Sequence, residues 1–84
     1  MIKIPGFENE FSNKDCYIKA VEINKNYDLA WNQLGISILD EETIKIPGIE
    51  KEFSKKDCYL KAIEININYD NAWNNLGNCL KDKE

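Results

Sequence analysis

The chain contains one sequence written twice. Residues 2–42 and 44–84 align without a gap at an offset of 42 positions, and 28 of the 41 aligned pairs are identical. An internal period of roughly 20–50 residues is typical of stacked repeat proteins, in which each unit buries its apolar face against a neighbouring unit. We therefore predict one domain, residues 1–84, built from two copies of a single structural unit. Units of this kind usually present a surface to a partner.

Composition excludes several classes of partner. The 84 residues are 43% hydrophobic and 31% charged, as expected for a folded chain. The net charge is −4, and all eleven basic residues are lysine. Nucleic-acid interfaces are normally rich in clustered Lys and Arg, so we expect no nucleic-acid partner and no membrane-surface partner. No apolar run approaches the roughly 20 residues that span a bilayer.

The cysteines and the absence of histidine predict an intracellular protein without a metal, a cofactor or catalysis. Cys16, Cys58 and Cys79 form an odd set with no close pair, and the first residues lack the apolar core of a signal peptide, which favours the reducing cytoplasm. We expect Cys16 and Cys58 to be buried and Cys79 to be partly exposed. Without histidine or C-x-x-C spacing, neither a zinc site nor a catalytic set is expected.

Each copy opens with a predicted helix that carries its own start signal. Residues 12–24 and 54–66 begin with Ser-x-x-Asp, a capping box in which Ser12 pairs with Asp15 and Ser54 with Asp57. In each copy a phenylalanine precedes the cap and a cysteine follows four residues after it, which is the spacing of a hydrophobic staple.

A second helix is predicted from Asp28 to about Glu41, and again from Asp70 to about Lys81, with each aspartate as the N-cap. Its buried stripe has the spacing i, i+3, i+4, i+7 and comprises Trp31, Leu34, Gly35 and Ile38, and then Trp73, Leu76, Gly77 and Leu80. A glycine within a helix costs about 1 kcal/mol relative to alanine. We therefore expect close helix contacts at Gly35 and Gly77, with Ala20 and Ala62 as the small partners.

Residues 43–53 form an insert between the helix pairs, and the N-terminus echoes them. Pro47-Gly48 suits a turn, and Ile44, Ile46, Ile49 and Phe53 alternate around it. We predict a short β-hairpin or an extended flap that folds over the helices. The alternative is a helix that begins at Pro47.

Several segments resemble the tetratricopeptide repeat family. Residues 30–35 (AWNQLG) and 72–77 (AWNNLG) resemble the first helix of that repeat, called A. Residues 16–23 and 58–65 resemble its second helix, called B, and the turns that follow resemble the inter-repeat turn. The resemblance implies an all-α solenoid of antiparallel helix pairs in the order B-A-B-A. The family unit has about 34 residues, so the period of 42 implies an insert, which we place in residues 43–53.

The resemblance also implies where a partner binds. In this family the concave face of the A helices takes extended peptides, without chemistry of its own. The matching residues are Leu29, Asn32, Gln33, Ile36, Leu39, Asn71, Asn74, Asn75, Asn78 and Lys81. Asparagine amides offer both a donor and an acceptor to a peptide backbone, although a solvated helix face explains the same residues. The groove has no arginine, so capture of a peptide carboxylate is not expected.

The two copies differ most along this face. Leu29, Ile36 and Leu39 are replaced by Asn71, Asn78 and Lys81. One interpretation is a polar cap on the last repeat of a solenoid, which we favour. The other is a groove that is apolar at one end and polar at the other.

Two repeats are few for a solenoid, which generally needs three or more. The first B helix has no A helix before it, so apolar residues near Phe11, Tyr17 and Ile18 lack their usual cover. We predict either a homo-oligomer or an excerpt of a longer array. The main functional hypothesis is a protein- or peptide-binding module; the alternative is a self-assembling structural protein, either head-to-tail or as a two-fold dimer.

Overall fold

The computed structural model describes residues 2–3 and 10–81, with side chains described from residue 12 onward. This part of the chain is rich in helix, as predicted, and it also contains two small antiparallel sheets. In chain order the elements are β1 (Ile2–Lys3), β2 (Glu10–Phe11), α1 (Asn13–Ile23), α2 (Asp28–Ser37), β3 (Thr43–Lys45), β4 (Glu52–Ser54), α3 (Lys55–Ile65) and α4 (Asp70–Lys81).

Capping boxes start α1 and α3 where the sequence predicts them. Ser12 Oγ accepts from the Asp15 amide at 3.2 Å, and Asp15 Oδ2 accepts from the Ser12 amide at 3.1 Å. Ser54 and Asp57 make the same pair of hydrogen bonds. The hydrogen bonds from Ser12 lower the pKa of Asp15, because they favour its ionised form.

The predicted end of the second helix is wrong in the first copy. Helix α2 stops at Ser37 and not near Glu41, because buried Ile38 adopts an extended backbone conformation. The turn that follows is closed by Glu42, whose amide donates to the Leu39 carbonyl and whose carboxylate accepts from the Leu39 amide. The Asp28 N-cap is also wrong: Tyr27 holds that position, and Asp28 is the first helical residue. Helix α4 is described from Asp70 to Lys81, the predicted span, but Asp70 is its first helical residue, so the predicted Asp70 N-cap is wrong as well.

Residues 43–54 contain strands β3 and β4, which pair antiparallel with Ile44 opposite Phe53. The Ile49 amide donates to the Ile46 carbonyl at 2.9 Å, and Gly48 between them has φ of 88°. Proline at the second position and a positive φ at the third define a type II turn, which explains the Pro-Gly pair. A helix beginning at Pro47 is therefore wrong, since α3 begins at Lys55.

Strands β1 and β2 also pair antiparallel, with Ile2 opposite Phe11 and Lys3 opposite Glu10. The Pro-Gly residues of this N-terminal echo lie between the strands, outside the described residues.

The core forms where α3 packs between α2 and α4, while α1 packs on the other side of α2. Trp31 of α2 is fully buried and its indole donates to the Lys25 carbonyl at 2.8 Å. The Phe53 ring of β4 covers it, with ring centroids 5.1 Å apart. Burial of a large aromatic pair contributes more to stability than its area alone, so strand β4 contributes to the core.

The close approach predicted at Gly35 is confirmed, but its partner is Tyr59 and not an alanine. A Cβ atom at Gly35 would lie 2.6 Å from Tyr59 Cε1 and 2.8 Å from Cδ1. The close approach predicted at Gly77 is wrong, because a Cβ there would meet nothing within 4 Å. The same residue type in the same helix thus has opposite surroundings in the two copies.

The two glycines form a matched pair for mutation. We expect Gly35→Ala to lower the free energy of unfolding by about 1–3 kcal/mol, because the new methyl group displaces the Tyr59 ring. Gly77→Ala should raise it by about 0.5–1 kcal/mol, because alanine restricts the unfolded chain without a clash. Urea unfolding of dilute protein, followed by circular dichroism, measures both. Equal effects of the two substitutions would contradict the structure.

The cysteines also have different surroundings. Cys58 is buried as predicted, and burial, with the nearby Asp57 charge, raises the pKa of its thiol to about 12. Burial of Cys16 is a wrong prediction: Cys16 is exposed, whereas its counterpart Cys58 is buried on α3, the helix that packs against α2. Cys79 is half-buried, in line with the expectation of partial exposure.

Thiol labelling should separate these residues. In native protein at neutral pH, we expect iodoacetamide to modify Cys16 readily and Cys58 only after unfolding, because the thiolate is the nucleophile. Peptide mass spectrometry over time gives the two rates. Fast native labelling of Cys58 would show that the α2–α3 contact opens often.

Candidate protein-interaction surface

Part of the predicted binding face is exposed as an outer row, which we define as Leu29, Ile36, Asn71 and Asn78. Leu29 and Ile36 lie seven residues apart on α2, and Asn71 and Asn78 occupy the equivalent places on α4. Residues seven apart on a helix project from the same side. The two exposed pairs differ in chemistry, since the first is aliphatic and the second is amide.

Asn32 is not part of this exposed row. It is only 3% exposed, and its Oδ1 accepts from Asn75 Nδ2 at 3.0 Å. Its Nδ2 donates to the Tyr69 hydroxyl at 3.4 Å. The asparagine that the sequence suggested for a peptide backbone therefore joins α2 to α4 and to the turn before it. Burial raises the pKa of Tyr69, so its hydroxyl stays protonated.

A second polar link joins the same elements. Asn66 Nδ2 donates to Asp28 Oδ2 at 2.9 Å, which connects the end of α3 to the start of α2. Sequence reasoning missed the roles of Tyr69, Asn66 and Asp28. The available signal was that each has an identical counterpart in the other copy, namely Tyr27, Asn24 and Asp70.

The remaining predicted groove residues are dispersed. Leu39 is exposed but lies beyond the end of α2, so it does not extend the helix face. Gln33 and Asn75 are half-buried, whereas Asn74 and Lys81 are exposed on α4. The structure thus exposes the outer row on two helices and leaves Leu39 beyond the end of α2.

A pocket of about 280 Å³ lies between α1 and α2 and is mainly apolar. It brings together residues of both predicted classes with others that the sequence did not suggest: Tyr17, Ala20, Tyr27, Leu29, Ala30 and Gln33. Of the predicted self-association residues, Tyr17 and Ile18 are half-buried against the core, and the Phe11 side chain lies outside the described residues.

Helix α4 presents an open face, which we define as Trp73, Gly77 and Leu80. Trp73 donates its indole N–H to the Ile67 carbonyl at 2.7 Å, just as Trp31 donates to Lys25. Trp73 is nevertheless 48% exposed, whereas Trp31 is 0% exposed. The difference therefore lies in what covers the ring, and not in how the helix holds it.

Within residues 12–81 no group of three or more Cys, Asp or Glu side chains could hold a metal ion. No helix in the described part of the chain is long and apolar enough to cross a membrane.

A family model described as tetratricopeptide repeat matches residues 58–84. This segment belongs to the tetratricopeptide repeat family. No curated protein and no solved structure gives a match to the chain. The matched repeat includes most of α3 and all of α4, and therefore Trp73, Gly77 and the amide half of the outer row. The first copy, identical at 28 of 41 positions, carries the same helix pattern.

The buried amide of Asn32 gives a prediction specific to this repeat. Asn32→Ala should lower the free energy of unfolding by about 1–3 kcal/mol, because the Asn75 amide and the Tyr69 hydroxyl lose their partner. The equivalent change in copy two, Asn74→Ala, should stay within about 0.5 kcal/mol, because Asn74 is exposed. Chemical unfolding of dilute samples compares them. Equal losses would show that the two copies carry equivalent amides.

Proposed function

We propose that the chain is a non-enzymatic interaction module for a protein or peptide, and that the outer row of α2 and α4 is the binding surface. In this proposal α1 and α3 are B helices and α2 and α4 are A helices, in the order B-A-B-A. The paired strands are then an insert between successive repeats. Tetratricopeptide repeats generally act in protein–protein interaction, which supports the class of function.

The exposure of the outer row is the observation that carries the proposal. Asn32 and Asn75 hold α2 and α4 together, and this leaves Leu29, Ile36 and Asn78 in solvent. A surface made of these side chains offers aliphatic contact at one end and amide donors and acceptors at the other. Amides hydrogen-bond to any peptide backbone, so we propose an extended segment with an apolar side chain over α2.

A selected peptide tests this proposal. A phage-displayed random library, panned on the purified chain, should yield binders that carry an apolar residue. Ile36→Ala and Asn78→Ala should each raise the dissociation constant of the best synthetic peptide about tenfold, since a lost side-chain contact contributes on the order of 1.4 kcal/mol. Fluorescence polarisation measures the dissociation constants.

Asn68→Ala is the matched control, because Asn68 is an exposed asparagine in the turn before α4 and outside the outer row. It should leave peptide affinity unchanged, and all three variants should keep the wild-type unfolding midpoint. A library that yields no binder, or binders indifferent to Ile36 and Asn78, would overturn the proposed surface.

A further inference from the structure

Helix α4 leaves uncovered the residues that its counterpart α2 buries. Ile38, which directly follows α2, is 1% exposed, whereas the equivalent Leu80 on α4 is 38% exposed. The Tyr59 ring covers Gly35, whereas no other atom of the described residues lies within 4 Å of a Cβ placed at Gly77. With Trp73, these residues make the open face of α4 an apolar surface with a glycine at its centre, where an aromatic ring could sit.

Helix α1 leaves uncovered the residues that would fill such a surface. Its counterpart α3 buries Tyr59 against Gly35 and has Ala62 at 0% exposure. On α1 the equivalent residues, Tyr17 and Ala20, are half-buried and line the pocket between α1 and α2. Helices α2 and α3 therefore form one complete A-to-B contact. Helix α4 carries the A half of the same contact, and α1 carries the B half.

We infer that α4 of one copy docks into the pocket between α1 and α2 of a second copy of this chain, reproducing the contact that α2 makes with α3 and α4. The inference rests on the proposed function, because it names a partner for an interaction module. In this arrangement the Tyr17 ring of the second copy covers Gly77, as Tyr59 covers Gly35.

The polar contacts of the internal interface have counterparts at the new one. The Asp28–Asn66 hydrogen bond becomes Asp70 with Asn24 of the second copy. The Asn32–Tyr69 hydrogen bond becomes Asn74 with Tyr27. The Asn32–Asn75 pair becomes Asn74 with Gln33, which keeps an amide on both sides. These residues lie at the 42-residue period, so the internal contact is a direct template.

One internal contact has no equivalent. Lys55 Nζ donates to the Gly35 carbonyl at 2.7 Å and to the Ile36 carbonyl at 3.3 Å, and so caps the end of α2. The corresponding residue of the second copy is Asn13, which carries no charge. The contact between copies is therefore weaker than the internal one, and assembly should depend on concentration.

Two blocked variants test the inference. Gly77→Gln fills the open face of α4, and Ala20→Gln fills the pocket beside α1. Both sites have room in the single chain. We therefore expect the melting temperature of each variant to be no more than a few degrees below that of wild type. In sedimentation velocity, the average mass of the wild-type species should rise with protein concentration, and each variant alone should remain a monomer.

Mixing the two variants identifies the geometry. An equimolar mixture retains one intact pocket and one intact α4 face, so it should form a dimer and nothing larger. Lys19→Gln, at an exposed position of α1 away from the pocket, is the control and should assemble like wild type. Gly77→Ala should weaken assembly although it stabilises the single chain, because its methyl group meets the incoming ring.

Three results would overturn the inference: wild-type protein that is monomeric at every concentration, a variant that still dimerises alone, or a mixture that does not associate. A two-fold dimer through one face gives the second result, since only one of the two variants would then be affected. Failure here is separable from failure of the proposed function, because peptide affinity is measured on monomeric Gly77→Gln and depends on Ile36 and Asn78.

Discussion

The contact of the Tyr59 ring with the backbone of Gly35 determines how the two copies join. Because glycine has no Cβ, the ring can lie where a side chain would otherwise be, and α3 approaches α2 closely. This approach places Phe53 over Trp31 and brings Lys55 to the end of α2. The α2–α3 core and the position of the β3–β4 sheet both depend on this close helix crossing.

The same crossing makes the copies physically different although their sequences are similar. In the middle of the chain α2 packs against α3, and Trp31 is fully buried. At α4 and at α1 each half of that contact is present without the other, so Trp73 and Cys16 are exposed. Identical residues thus have opposite surroundings, and position in the stack determines which of them are available to a partner.

This difference explains which predictions succeed. The helix starts at Ser12 and Ser54 are local, since a cap and its first turn lie within a few residues, and the sequence predicts both. Burial depends on neighbours far along the chain. The sequence therefore predicts a close helix contact at both Gly35 and Gly77, but the contact is present only at Gly35. The prediction that Asn32 is available to a peptide fails for a related reason. The sequence alone does not distinguish an asparagine that is free to bind a peptide from one that already binds Asn75.

The proposed surface and the inferred assembly share Leu29, which lines the docking pocket, whereas Ile36 of the same helix lies outside that pocket. In the internal contact Ile36 and Leu29 remain exposed although α2 is packed against both α3 and α4. When α4 docks in the same way, its Asn71 and Asn78 remain exposed by the same geometry. Stacking therefore repeats the outer row from copy to copy, so that exposed aliphatic and amide pairs alternate along the assembly. Because the contact is heterologous, it can repeat from copy to copy, and Asn13 in place of Lys55 weakens each repeated contact.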